Sequence, residues 1–268
     1  MTEQIRVVVT GAYGKMGREV VKSVVGDPTL KLVGAVDVKG KGTDAGYLAG
    51  IDPVGVAIST DLEGLLNEVQ AEVLIDFTNP QAVLRNIQIA LNKKVCPVVG
   101  TTGMTEDDRQ AVAKLAEEVG VGVVIAPNFA LGAVLMMRFA KEAARYFPHV
   151  EIIELHHDQK VDAPSGTALR TAELISEERK PHHQGAINEY EKIKGVRGGN
   201  FEGMRIHSIR LPGLVAHQEV ILGGNGQTLS IRHDSIHRES FMPGVLLAVH
   251  KVQQVKGVIY GLENLLDL

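Results

Sequence analysis

The sequence predicts an α/β protein: a Rossmann-like doubly wound parallel sheet joined to a second α+β domain with a mostly antiparallel sheet. Three observations carry this. Short β-branched runs alternate with helical repeats through the first half, as parallel βαβ units require. The first such run, Ile5 to Val9, is apolar apart from Arg6 and leads straight into Gly11-Ala12-Tyr13-Gly14-Lys15-Met16-Gly17 and a helix. After Phe129 the pattern changes to period-two runs separated by Pro212-Gly213 and Asn225-Gly226.

Composition narrows the function. The 268 residues carry a formal net charge of -4, so no broad basic surface points to nucleic acid. No apolar run reaches membrane-spanning length, and the N-terminus enters a strand without a signal-peptide pattern, which predicts a cytoplasmic protein with no membrane partner. The single cysteine, Cys96, excludes an internal disulfide and fits a reducing compartment.

In chain order, the first strand, glycine turn and helix (Met16, Val20, Val21 and Val24 at helical spacing) form a dinucleotide-binding element. Its glycines allow a tight turn and bring a pyrophosphate onto the helix N-terminus, although the spacing is G-x-x-G-x-x-G. The next strand, Leu30 to Val36, ends at Asp37, where a carboxylate would hold the adenosine ribose hydroxyls. Asp37 favours NADH because it repels the 2′-phosphate of NADPH. Lys39 and Lys41 either offset that repulsion, giving some tolerance of NADPH, or are the solvated part of a glycine-rich loop, Lys39 to Gly50. Thr60-Asp61-Leu62-Glu63 reads as a capping box. Val73 to Asp76 is a strand followed by Phe77-Thr78-Asn79-Pro80 and a helix with Val83, Leu84, Ile87 and Ala90 inward. Val95 to Val99 leads to Gly100-Thr101-Thr102-Gly103, Thr105 and Asp108 cap the next helix, and Val121 to Ile125 leads to Ala126-Pro127-Asn128-Phe129. Ligands of doubly wound sheets bind at the carboxyl ends of strands, so these two loops are candidates for the nicotinamide end. Cys96 lies inside a strand and reads as a buried thiol.

The second domain is built around Glu154 to Ala168, E-L-H-H-D-Q-K-V-D-A-P-S-G-T-A, which joins an apolar strand (Val150 to Leu155) to an amphipathic helix. That helix is expected to begin near Pro164 and to pack through Ala168, Ala172 and Ile175. Its first amides, at Ser165, Gly166 and Thr167, carry partial positive charge. Lys160 adds a full charge, and His156 and His157 can carry a proton near neutral pH. Such a cluster suits a small carboxylate that must be protonated; the alternative is an ordinary helix cap beside surface histidines. Adjacent strand histidines face opposite ways and no Cys or His spacing suits zinc, so no metal is expected.

A long helix (Leu131 to Tyr146) precedes this stretch, and a polar segment, Glu177 to Asn200, follows it with His182 and His183 as exposed loop residues. Met204 to Leu211, Val215 to Leu222 and Thr228 to Asp234 read as an antiparallel meander whose outer strands frame the cluster. Phe241 to Val255 is helical again, with Val245, Leu246, Val249 and Val252 on one face. The expected division is 1–128 with 240–268 for the nucleotide, and 129–239 for substrate and oligomerisation, hinged near Phe129 and His237.

The motifs V-T-G-A-Y-G-K-M-G-R, D-F-T-N-P, V-V-G-T-T-G, A-P-N-F and the Glu154–Ala168 stretch resemble the 4-hydroxy-tetrahydrodipicolinate (dihydrodipicolinate) reductase family of bacterial lysine and diaminopimelate synthesis. The resemblance covers essentially the whole chain. It implies an NAD(P)H-dependent oxidoreductase that transfers hydride and then a proton to a small cyclic dicarboxylate, working as a homotetramer. Gly11, Ala12, Tyr13, Gly14, Lys15 and Met16 would line the cofactor phosphates and Asp37 the ribose. Gly100, Thr101 and Thr102, with Ala126, Pro127, Asn128 and Phe129, would hold the nicotinamide side. His156 would be the proton donor/acceptor and Lys160 a proton donor, with His157, Ser165, Gly166 and Thr167 on the substrate carboxylate. Lys15 stands where an arginine is usual, Asp37-Val38-Lys39 lacks a Glu-Arg pair, and Asp158-Gln159 lowers the local positive charge. Rival readings are an aspartate-semialdehyde dehydrogenase, which needs a reactive cysteine, a homoserine dehydrogenase, and a non-catalytic nucleotide sensor.

Overall fold

Parallel strands need a crossover between each pair, and the alternation of apolar runs with helical repeats supplies it. In a computed structural model, described over residues 4–180, 182 and 184–266, the chain runs β1 (Ile5–Thr10), α1 (Lys15–Gly26), β2 (Leu30–Val36), α2 (Ala45–Ala49), β3 (Ile58–Ser59), α3 (Leu62–Glu68), β4 (Val73–Asp76), α4 (Pro80–Asn92), β5 (Cys96–Val99), α5 (Glu106–Val119) and β6 (Val123–Ile125). It continues through α6 (Leu131–Ala143), β7 (His149–His156), α7 (Gly166–Glu178), β8 (Gly199–Phe201), β9 (Met204–Arg210), β10 (Ala216–Gly224), β11 (Gln227–Ser235), α8 (Met242–Val252) and β12 (Val258–Tyr260). Two compact units result, Met1–Phe129 with Phe241–Leu268, and Ala130–Ser240. No helix among the described residues is long and apolar enough to cross a membrane.

The first unit holds a seven-stranded sheet in the order β12-β6-β5-β4-β1-β2-β3, parallel at every pairing. Val7, Val8, Val9, Leu74 and Ile75 are wholly buried, as strands covered on both faces must be. The order reverses direction between β1 and β4, the point where such sheets open a crevice at their carboxyl ends. At α5 the expected capping box is present: Asp108 N donates to Thr105 Oγ1 and Thr105 N to Asp108 Oδ2. At α3 it is not. Asp61 rather than Thr60 is the cap, its carboxylate accepting from Gly64 N at 3.0 Å, because only from that position does a short acid reach the third amide. The glycine-rich stretch after Lys39 is also more ordered than a solvated loop: Asp44 accepts amides from Gly46, Tyr47, Val54 and Gly55 and so starts α2. Cys96 is half-buried against the core beneath α5, and burial pushes its thiol up from the ordinary value.

The second unit holds a five-stranded sheet ordered β11-β10-β7-β9-β8. The expected meander does not form. β7 lies between β9 and β10, parallel to the former and antiparallel to the latter, and only β10 and β11 make a hairpin of the expected kind. Period-two patterning specifies which face a strand buries and not which neighbour it takes. β7 is buried at Val150, Ile152 and Glu154 and half-buried on its other face, which suits the centre of a sheet. α7 packs on it through Ala168, Thr171, Ala172 and Ile175, with α6 alongside.

Candidate active site

The glycine turn is assembled from the backbone outward. Gly11 takes φ +77, which a residue with a side chain rarely adopts. The amides of Gly11 and Ala12 donate to the Val36 carbonyl at 2.9 and 3.2 Å, folding the turn against the end of β2. A Cβ on Gly17 would overlap the Gly11 carbonyl, so this glycine lets α1 start directly against the turn. α1 has no side-chain cap, and the leading amides around Lys15 and Met16 are therefore left for an anion, with the helix dipole behind them. Asp37 accepts from Tyr13 N and from Lys39 N, both at 3.0 Å. A cavity of about 490 Å³ opens here, lined by Gly11, Gly14, Asp37, Thr78, Arg85 and their neighbours. A close backbone approach, an uncapped helix and an acid at the next strand end fit a dinucleotide. Within the expected cradle Ala12 has a different part: its side chain is buried and its amide is held by Val36, so it supports the turn from behind. Arg18, which sequence reasoning passed over, lies 4.8 Å from the Tyr13 ring centroid and donates to the Tyr13 carbonyl.

At the ends of β4 and β5 the organising group is Asp76. Its fully buried carboxylate accepts from Thr10 Oγ1 (2.8 Å), Asn86 Nδ2 (2.8 Å), Thr78 N (3.1 Å), Thr78 Oγ1 (2.8 Å) and Thr101 Oγ1 (2.6 Å). Thr101 was expected to face the nicotinamide, yet its buried hydroxyl is turned inward to this carboxylate and accepts from Thr78 N at 2.7 Å. Gly100 lies where a Cβ would meet the Phe77 ring, and Thr102 is exposed. Of the β6 loop, Ala126 and Phe129 are core residues, Phe129 tilted against Phe77 with ring centroids 5.9 Å apart. Pro127 is exposed and Asn128 half-buried. The sequence signal for Asp76 was an acid closing a wholly apolar strand.

In the second unit, α7 starts at Gly166, two residues later than expected. Pro164 precedes the cap, and Ser165 is the cap itself, its hydroxyl accepting from Ala168 N at 3.2 Å. Ser165 is thus buried and serves α7 as its cap. Gly166 is exposed, with open space where a Cβ would be, and Thr167 is half-buried. His156 ends β7, and His157 lies just beyond it, exposed. Lys160 Nζ donates to Asp162 Oδ1 at 2.7 Å, and that hydrogen bond holds the Asp162 carboxyl below its ordinary value against a small opposing effect of burial.

Two further residues bind this group together. Glu154, with no exposed surface, accepts on Oε2 from His156 Nδ1 (2.5 Å) and Arg210 Nη1 (2.9 Å), and on Oε1 from Arg210 Nη2 (2.8 Å) and Ser165 N (3.2 Å). Burial alone would raise this carboxyl, but hydrogen bonds from His156, Arg210 and Ser208 outweigh it and lower it to about 2. Arg210 also donates to the Asp162 carbonyl, fastening the loop that carries Lys160. An acid at an inward position of an apolar strand marked Glu154; Arg210 comes opposite His156 only because β9 runs parallel to β7. Among the described residues no group of three or more His, Cys, Asp or Glu is arranged to hold a metal. His182 is not the exposed residue expected: it is half-buried, edge-on to His149 with centroids 4.3 Å apart. His183 lies outside the described residues.

Comparison with known proteins decides the family. The family model for dihydrodipicolinate reductase, N-terminus, matches residues 5–129, and that for dihydrodipicolinate reductase, C-terminus, matches residues 132–266. The chain belongs to the dihydrodipicolinate reductase family. It is accordingly an oxidoreductase of a pyridine-nucleotide-dependent kind with a Rossmann-like fold. A relative from Desulfitobacterium hafniense named 4-hydroxy-tetrahydrodipicolinate reductase is 58% identical, covering 99% of this chain and 100% of its own. One of the same name from Syntrophomonas wolfei is 55% identical over 99% of this chain and 100% of its own. Among solved structures, the dipicolinate-bound dihydrodipicolinate reductase of Paenisporosarcina sp. TG-14 superposes with a TM-score of 0.89 at 47% identity, covering 98% of this chain and 100% of that one.

Proposed function

We propose that the chain reduces 4-hydroxy-tetrahydrodipicolinate, by way of dihydrodipicolinate, to tetrahydrodipicolinate in lysine and diaminopimelate synthesis, in the cytoplasm, using NADH in preference to NADPH. The observation that carries this reading is the match, across both units, to reductases bearing that name. The bound dinucleotide supplies the hydride. The uncapped start of α1 and Gly14 hold its phosphates, and Asp37, once Tyr13 N and Lys39 N share it, holds the ribose hydroxyls. Thr102, Pro127 and Asn128 face its nicotinamide end, with Gly100, Thr101, Ala126 and Phe129 shaping the wall behind them.

On the substrate side, the amides of Gly166 and Thr167 at the head of α7, together with His157, grip a carboxylate and stabilise charge that spreads toward it during reduction. His156 presents its outer nitrogen, and Lys160, on leaving Asp162, gives a second proton source for the ring carbon next to the one reduced. Dipicolinate, bound by the Paenisporosarcina enzyme, has the two carboxylates this site is suited to. We further propose a homotetramer joined through the outer face of the second sheet, where Leu155 and Ile209 pair in register and Ile209 is exposed.

The test is NADH oxidation by the purified protein, followed with dihydrodipicolinate generated in the cuvette and, separately, with aspartate semialdehyde. Oxidation with the first alone is expected; oxidation with the second alone, or with neither, sinks the reading.

A further inference from the structure

We infer that Glu154 is a positioning residue for the reaction: its buried carboxylate fixes which ring nitrogen of His156 keeps its hydrogen, and ties that ring to the opening turn of α7. The inference rests on the reading of His156 as a proton donor.

Glu154 and His156 are two apart on β7, so their side chains share a face. The carboxylate is 2.5 Å from His156 Nδ1 and is buried, while Arg210 grips both of its oxygens. A charged partner of this kind makes burial of an acid tolerable. An ionised carboxylate only accepts hydrogen bonds, so the hydrogen shared by the pair sits on Nδ1. The proton that the ring can give up is then the one on Nε2. After giving it, the ring is left as the Nδ1–H tautomer, and the atom that donated is the atom that is recharged. A ring without this partner would divide between two tautomers, one of which has no acceptor where the next proton must arrive.

The same carboxylate accepts the Ser165 amide at 3.2 Å, and Ser165 caps the helix whose next amides are assigned to the substrate carboxylate. One acid therefore sets both the orientation of the proton donor and the position of the anion-binding turn. The charged and titratable groups contributed by neighbouring elements are Arg210 from β9 and the Lys160–Asp162 pair from the loop. On β10 the register partner of His156 is Ala216 and the next residue on that face is Gln218, and residues 165–169 of the α7 turn carry no ionisable side chain.

The first experiment needs no variant at Glu154. Nitrogen-15 spectra of the wild-type enzyme, with His156 assigned by its loss in His156→Asn, report the tautomer of the neutral ring. An Nδ1–H ring is expected, and an Nε2–H ring overturns the inference. The second is a double-mutant cycle on kcat with Glu154→Gln, His156→Ala and the pair. Glu154→Gln should lower kcat about 10- to 100-fold, short of the general-acid contribution of about 10²–10⁴. In the His156→Ala background it should cost little more. An equal loss in both backgrounds makes Glu154 merely structural and overturns the inference while leaving the reading of His156 intact. Full turnover by His156→Ala overturns that reading instead.

Discussion

Asp76 and Glu154 each sit at or near the carboxyl end of a strand inside a sheet, each wholly buried, yet their partners differ in kind. Asp76 is surrounded by hydroxyls, a side-chain amide and a backbone amide from β1, α4 and the loops after β4 and β5. Glu154 is held by a guanidinium and an imidazole. Neutral donors can satisfy a buried acid and lock strand ends in place, but they offer nothing that carries a proton to a substrate. A carboxylate matched by Arg210 can also hold a titrating ring. The first unit has the kind of anchor made by neutral donors, and the second has the kind made by a cation and an imidazole.

His156→Ala gives the largest expected contrast: turnover should fall by about 10²–10⁴-fold, with NADH affinity, measured by fluorescence titration, unchanged. Equal losses of both would erase the division between the halves. Removing a partner comes next. Arg210→Met leaves Glu154 charged and unmatched, and should lower stability to urea by about 3–5 kcal/mol. Asp76→Asn removes one acceptor among neutral donors and should cost about 1–3 kcal/mol; a larger loss than at Arg210 would reverse the ranking of the two anchors.

Acid gives a further distinction. Glu154 ionises at about 2 when folded, below its ordinary 4.5. A depressed carboxyl contributes stability that is fully present above its unfolded value and is lost as protons bind the folded state. Stability of the wild type should thus decline as pH falls from about 4.5 through 2, and Glu154→Gln should show a shallower decline in urea melts over that window. The smallest effect is expected at Asp37→Asn, which should raise NADPH use relative to NADH severalfold, the result of removing about 1 kcal/mol of repulsion across water. An unchanged ratio would remove Asp37 from the ribose contact.

What was legible in the sequence was mostly local. Val7 to Val9 announced a strand buried on both faces, Gly11 and Gly17 a turn with a helix pressed against it, and Thr105 with Asp108 a cap, because each depends on neighbours within a few residues. α7 starts at Gly166 rather than Pro164, a two-residue difference within the usual uncertainty of a helix boundary. The partners of His156 were not legible. Arg210 reaches Glu154 only because β7 lies between β9 and β10, and alternation of apolar residues is silent on such an order. The inward hydroxyl of Thr101 was hidden for a similar reason: it answers a charge on another strand.

The second unit is an insertion, since the chain leaves the first after Phe129 and rejoins it at Phe241. The late segments matter there: α8 packs beside β4, β5 and β6 through Val245, Ala248 and Val249, and β12 pairs with β6 at the sheet edge. During translation the inserted unit therefore emerges complete while its host still lacks a helix and an edge strand. The guest can mature first, and the host sheet is finished only once α8 and β12 have followed it.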